Sequence, residues 1–280
     1  MTDLANLPHP PALKGDIDTV LPGPRPRSGG RRAVTHALVI ARRHLLHLVR
    51  TPELALWSSV QPIMFLLLFN FMFGGAISRG GGYINFVVPG IVVQFVTFTA
   101  FGTAMGLNTD RSNGIVDRLR SLPIARSAVL SGRILSDAAS CAFNILLLVA
   151  VGALLGFRFS TGVVPVVGAF LLATAFGVAM AWIGACIGLT VRNPEAVQSV
   201  GLIWVFPLTM ASSAFVPTQT LPGWLQAFVK VNPVTNVADA LRALTLGGPT
   251  TAPVLASLAW IAAILAAFSA LAVRQYRRIE

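Results

Sequence analysis

The chain has 280 residues, of which 55% are hydrophobic and 11% charged, with a mean hydropathy of +0.74. A soluble domain carries about 25% charged residues, so this composition excludes a water-soluble globule with a charged shell and makes the bilayer the solvent. The net charge of +11 comes from 21 Lys+Arg against 10 Asp+Glu, and in so apolar a chain it marks basic loops on one membrane face rather than a nucleic-acid surface.

Residues 1–32 hold Pro8, Pro10, Pro11, Pro22, Pro24 and Pro26 and no apolar run. They read as a disordered, Pro-rich cytoplasmic leader, not as a cleavable signal peptide. Residues 33–50 fit an amphipathic helix that does not span. Val34, Leu38, Leu45 and Leu48 recur at helical spacing, and His36, Arg43, His47 and Arg50 fall on the other side. This helix is expected to lie on the cytoplasmic leaflet, either as an anchor to anionic lipid or also as a contact for a partner. Residues 51–280 are expected to form one transmembrane domain. Thr51, Pro52 and Glu53 supply a cap, an N1 proline and a first-turn acid for its first helix.

Charge-free runs then predict six spans, near 55–77, 84–107, 132–156, 164–189, 197–214 and 253–273. Roughly 20 helical residues cross a ~30 Å hydrocarbon core. Lipid offers no partner to a strand edge, so each run is helix and the fold class is an all-α membrane protein. Arginine sets the orientation. Arg42, Arg43, Arg50, the loop 108–133, Arg192 and the terminal Arg274, Arg277 and Arg278 fall on one side. Arg79, Arg158, Lys230 and Arg242 fall on the other. The denser side is cytoplasmic, so both termini are expected in the cytoplasm and the chain crosses the cell membrane several times.

Two connections are patterned. In the loop 108–133, Ile115, Leu119 and Leu122 share a helical face, Asp117, Arg118 and Arg120 point elsewhere, and Pro123 breaks the helix. A short cytoplasmic amphipathic helix is expected over 110–122; the alternative is a solvated loop. The segment 214–249 is apolar but interrupted by Pro217, Pro222, Pro233 and Pro249. One short helix carries Trp224, Leu225 and Phe228, Asn232-Pro233 breaks it, and a second carries Asp239 and Arg242 three apart. The expectation is a helical hairpin dipping into the outer leaflet, against the alternative of a surface loop with aromatic belt residues.

A chemical site is harder to find. The sequence holds no GxxxxGK[ST], so it has no P-loop for ATP. All four histidines precede the first span, and Cys141 and Cys186 sit apart in apolar runs, which leaves no catalytic, metal or cofactor set. Asp137 is the one acid at a membrane position. It reads as a local pair with Arg133 or, alternatively, as an ion-coupling carboxylate. Gln61, Asn70, Gln94 and Asn144 lie inside spans, where they serve interhelical hydrogen bonds or a substrate path. Six spans with no energy source imply a transport subunit driven by a partner, with the helix over 110–122 as the place for that partner to push. The alternative is an ion-coupled secondary transporter.

At these same segments the sequence resembles the ABC-2 type permeases, specifically the daunorubicin/doxorubicin-resistance membrane subunits of actinobacteria. The stretches that carry the likeness are PIMFLLLFNFMFGGAI (62–77), YINFVVPGIVVQ (83–94), NTDRSNGIVDRLRSLPIARSAVLSGRILSD (108–137), LLGFRF (154–159) and FPLTMASSAFVPTQTLPGWLQAFVKVNPVTNVADALRAL (206–244). The resemblance implies six spans with an interfacial N-terminal helix, a coupling helix between spans two and three, and a hairpin between spans five and six. It implies a separate ABC ATPase subunit, which binds ATP-Mg, and a second permease, identical or sister. It maps the coupling helix onto 108–125, with the ATPase contact at Asp110, Arg111, Asp117, Arg118, Leu119 and Arg120 and a further one at Arg192 and Glu195. Its substrates would be hydrophobic drugs or, alternatively, lipids or polysaccharides. No nucleic acid and no cofactor bound by this chain are expected.

Overall fold

The computed structural model describes residues 52–77, 82–113, 126–191 and 193–278. The leader 1–32, the interfacial helix expected over 33–50, the segment 114–125 with Asp117, Arg118, Leu119 and Arg120, and Arg192 lie outside the described residues.

Every regular element among the described residues is helical. In chain order they are α1 (Pro52–Ile77), α2 (Tyr83–Ser112), α3 (Arg126–Leu154), α4 (Val163–Thr190), α5 (Pro194–Met210), α6 (Gly223–Val231), α7 (Pro233–Leu246) and α8 (Thr251–Arg278), with one 3-10 turn at Thr218–Thr220. Four of them, α2, α3, α4 and α8, are long and apolar enough to cross a bilayer. In α1 the apolar stretch Ser59–Met72 is shorter, and α5 has 17 residues.

Two helix boundaries differ from where hydropathy puts them. α2 runs on to Ser112, so Asp110 and Arg111 belong to its last turn rather than to a separate amphipathic helix. The Asn108 side chain donates to the Val191 carbonyl at 2.7 Å, and Arg111 donates to the Leu189 carbonyl at 3.0 Å. These donors satisfy the orphan carbonyls at the end of α4 and hold the polar turn of α2 in place. α5 stops at Met210, short of the expected 214.

α2 forms the centre of the bundle, with Val87, Ile91, Val93, Val96 and Ala100 buried. α4 packs against it backbone to backbone. A Cβ on Gly184 would stand 2.0 Å from the Ala100 carbonyl oxygen, and one on Gly188 would stand 2.4 Å from that of Ala104. Glycine is therefore required at both positions. Lipid tails are as apolar as leucine, so such close contact, rather than hydrophobic exclusion, is what holds two spans together.

Between α5 and the 3-10 turn the chain leaves helical geometry while Ser212, Ser213, Ala214 and Phe215 stay buried. Backbone groups there cannot turn to water, so other elements must satisfy them. Asn232 donates to the carbonyls of Leu208 and Ala211, both at 2.7 Å, while its Oδ1 accepts from the Val234 amide and caps α7. Tyr83 donates to the Phe215 carbonyl at 3.1 Å. Arg242 donates to the carbonyls of Ser213 at 2.7 Å and Ala214 at 3.1 Å. Gly90 lets this turn lie on α2, since a Cβ there would fall 1.8 Å from the Ala214 carbonyl oxygen.

The two short helices expected over 214–249 are α6 and α7, broken at Asn232-Pro233 as the sequence indicates. Their surroundings differ. Trp224 and Phe228 of α6 are exposed, whereas Val234, Val237, Ala238 and Ala240 of α7 are fully buried. Asp239 and Arg242 form the expected i,i+3 ion pair, at 2.8 Å.

Candidate substrate cavity and charged latch

A cavity of about 530 Å³ opens between α1, α2 and α3. Its aromatic wall is Phe65 from α1 with Phe95, Phe98 and Phe101 from α2. Facing these are Gln61 from α1, Gln94 and Thr103 from α2, and Asp137, Ser140 and Asn144 from α3. The spacing of α2 creates the mixture: Gln94, Phe98 and Phe101 fall three to four residues apart, on one helical face.

Each polar residue has a distinct role. Asn144 accepts from Ser59 of α1 and donates to the Ser140 carbonyl at 2.9 Å, so it ties α1 to α3. Gln94 is 5% exposed, yet its side-chain amide has no hydrogen bond among the described residues. This amide is not among the fully buried unpartnered polar atoms, so it is reached from the cavity that it lines. Of the four residues read as a possible substrate path, Gln61, Gln94 and Asn144 meet here. Asn70 does not: it lies more than two turns beyond Gln61 on α1 and is no part of the lining.

At one end the cavity meets a charged latch. Asp137 accepts from Thr103 at 2.8 Å and from Arg133 Nε at 3.2 Å. The same guanidinium bonds Asp110 through Nη1 at 2.9 Å. The Arg133 head lies across α2 at Gly106, where a Cβ would fall 1.9 Å from its Nη2. The local Arg133–Asp137 pairing read from the sequence is therefore present, and the structure adds Asp110 and Thr103 to it.

The residues expected to touch an ATPase divide accordingly. Asp110 and Arg111 are bonded within the bundle, to Arg133 and to the Leu189 carbonyl. Glu195 is exposed in the first turn of α5. The others fall outside the described residues. Sequence reading missed the four phenylalanines, Thr103 and Gly106. A signal for the phenylalanines was present in the close spacing of Phe95, Phe98 and Phe101, but in an apolar span such spacing equally suits lipid contact.

Among the described residues the bundle of apolar helices carries a half-polar chamber. Comparison with known proteins specifies the family. Residues 35–246 match the family model for the ABC-2 type transporter. The chain belongs to the ABC-2 type transporter family. It is 36% identical over 267 residues to the daunorubicin resistance ABC transporter permease protein DrrB1 of Streptomyces coeruleorubidus, covering 95% of this chain and 94% of that one. It is 29% identical to the probable doxorubicin resistance ABC transporter permease protein DrrC of Mycobacterium tuberculosis, over 88% and 89% of the two chains. The doxorubicin resistance permease DrrB of the same organism is 28% identical over 72% of this chain and 73% of its own. As an ABC-2 permease, the chain is a multi-pass membrane subunit of an ABC transporter, and an ABC ATPase is its partner.

Proposed function

We propose that this permease exports a hydrophobic drug from the cell, that the substrate occupies the cavity between α1, α2 and α3, and that a separate ATPase subunit binding ATP-Mg supplies the energy. The observation that carries this reading is the chamber itself. Four phenylalanines offer faces to an aromatic amphiphile, and the Gln94 amide that lines the cavity is left for its polar group. The relatives named for daunorubicin and doxorubicin resistance support the same substrate class.

In this reading α1 and α5 complete six crossings, and both termini are cytoplasmic. The segment 110–122, with Asp117, Arg118, Leu119 and Arg120, and the turn at Arg192 and Glu195 receive the ATPase. A second permease, identical or sister, closes the pathway. The alternative of an ion-coupled carrier is disfavoured because Asp137 is already engaged by Arg133 and Thr103.

The test is efflux of doxorubicin, followed by its fluorescence, from cells expressing this chain together with its ABC ATPase subunit. Efflux should need both chains and an intact P-loop in the ATPase. Equal accumulation with and without the pair would overturn the drug-export reading.

A further inference from the structure

A second cavity, of about 390 Å³, lies between α2, α3, α4 and α7, at the opposite end of the bundle from Asp110. Its walls are hydrocarbon: Val88 and Val92 of α2, Ile145 of α3, Ala169 and Phe170 of α4, and Leu241 of α7. Leu146 and Val167 line it too and are 58% and 50% exposed. Its mouth therefore opens sideways, from between two spans that are themselves long and apolar enough to cross a bilayer.

These facts select the occupant. A water needs two to four polar partners, and apolar cavities stay dry. In a bilayer the mouth faces acyl chains, which match the walls. An acyl chain gains no hydrophobic energy on moving from lipid into such a groove, so the groove alone gives no preference for one lipid. A preference requires a headgroup contact at the rim.

The rim has one. Phe157 and Phe159 both line the cavity, and their rings meet edge to face at 5.1 Å between centroids. Arg158 stands between them, exposed, with no ion pair among the described residues. Its backbone amide is held by Asn85 Oδ1 at 3.2 Å. The segment itself is anchored: α3 ends in a Schellman closure at Gly156, with the Phe157 amide on the Gly152 carbonyl at 2.9 Å. Arg158 thus lies four residues beyond Leu154, where α3, a helix long and apolar enough to cross a bilayer, ends.

We propose that this groove binds an anionic phospholipid, with one acyl chain in the apolar cavity and its phosphate paired with Arg158. An anionic lipid is favoured over a zwitterionic one because it has no ammonium of its own to compete for the phosphate. The inference rests on the bilayer setting and not on what the transporter carries, so its failure leaves drug export untouched.

The test uses the purified permease in mild detergent, offered equal amounts of phosphatidylglycerol and phosphatidylcholine and weighed by native mass spectrometry. Wild type should retain phosphatidylglycerol about fivefold over phosphatidylcholine, the effect of one basic side chain near the lipid surface. Arg158→Gln should abolish the preference while keeping lipid bound. Val167→Trp, which plugs the mouth, should lower the bound lipid by one molecule. Leu146→Trp plugs the mouth from the other helix and replaces it if Val167→Trp is not monodisperse. Val163→Trp, on the same helix but outside the lining, should behave as wild type. An undiminished preference in Arg158→Gln, or an unchanged lipid count in a folded plugged variant, would overturn the proposal.

Discussion

Arg133 of α3 reaches the last turn of α2, where its Nη1 meets the Asp110 carboxylate at 2.9 Å, and its Nε holds Asp137 at 3.2 Å. One guanidinium thus connects a wall of the cavity with the point at which α2 gives way to the segment 114–125. Both ends of that segment are tied to the same side chain, since Asp110 precedes it and Arg133 follows it.

The first prediction concerns this connection. Arg133→Gln should lower doxorubicin stimulation of the assembled transporter's ATPase by at least about fivefold, the lower end of ordinary coupling energies. Basal ATPase activity should persist. Asp110→Asn should act in the same direction, and the double variant should lose little more than either single one, because the two residues share one bond. Additive losses in steady-state ATPase assays would show that the two act separately.

A second expectation follows from the seam between α2 and α4. Gly184→Ala should destabilise by about 1–3 kcal/mol, the ordinary cost of overpacking, because backbone lies where its Cβ must go. Gly168→Ala on the same helix meets nothing within 4 Å and should stay within about 1 kcal/mol of wild type. Thermal unfolding in detergent, read side by side, checks the contrast.

Arg242 gives a third. Its side chain is 12% exposed and serves the Ser213, Ala214 and Phe86 carbonyls and the Asp239 carboxylate. The guanidinium also lies 3.7 Å from the centre of the Phe86 ring. Arg242→Met leaves several buried acceptors unpaired, at about 1–3 kcal/mol each. It should fail to accumulate as a monodisperse protein. Arg242→Lys keeps the charge but not the planar fork and should fall between the two in gel-filtration yield.

The fourth tests the cavity. Gln94→Leu satisfies the packing but removes the unpartnered amide. It should leave folding intact and raise the half-saturating doxorubicin concentration for efflux about tenfold, equivalent to ~1.4 kcal/mol of lost binding. Asn70→Leu, outside the lining, should leave that concentration unchanged.

Local patterns were legible in the sequence, and long-range pairings were not. Apolar runs marked every long helix because bilayer thickness sets their length. Asn232-Pro233 marked the break between α6 and α7, and the spacings of Arg133 to Asp137 and Asp239 to Arg242 marked their pairs. Asp110 and Arg133 are 23 positions apart on different helices, and nothing in either neighbourhood announces the other. Arg242 reads only as one charge opposite the basic face and a neighbour of Asp239, because charge counting ignores the carbonyls that bury it. Asn70 and Gln94 look equivalent in sequence, and only the rotation of α1 against α2 separates them. The close approach of Gly184 and Gly188 to Ala100 and Ala104 was not read, because their partners lie on another helix.

α2 also has a mechanical consequence. Asp110 sits at one end of this helix and Phe86, whose carbonyl and ring hold Arg242, sits at the other. They are about 36 Å apart at ~1.5 Å per residue. The glycine seam fastens α4 alongside. A displacement imposed at the Asp110 end would thus pass to α7 along one continuous helix, as by a connecting rod, while α1 and α3 border the chamber through side chains.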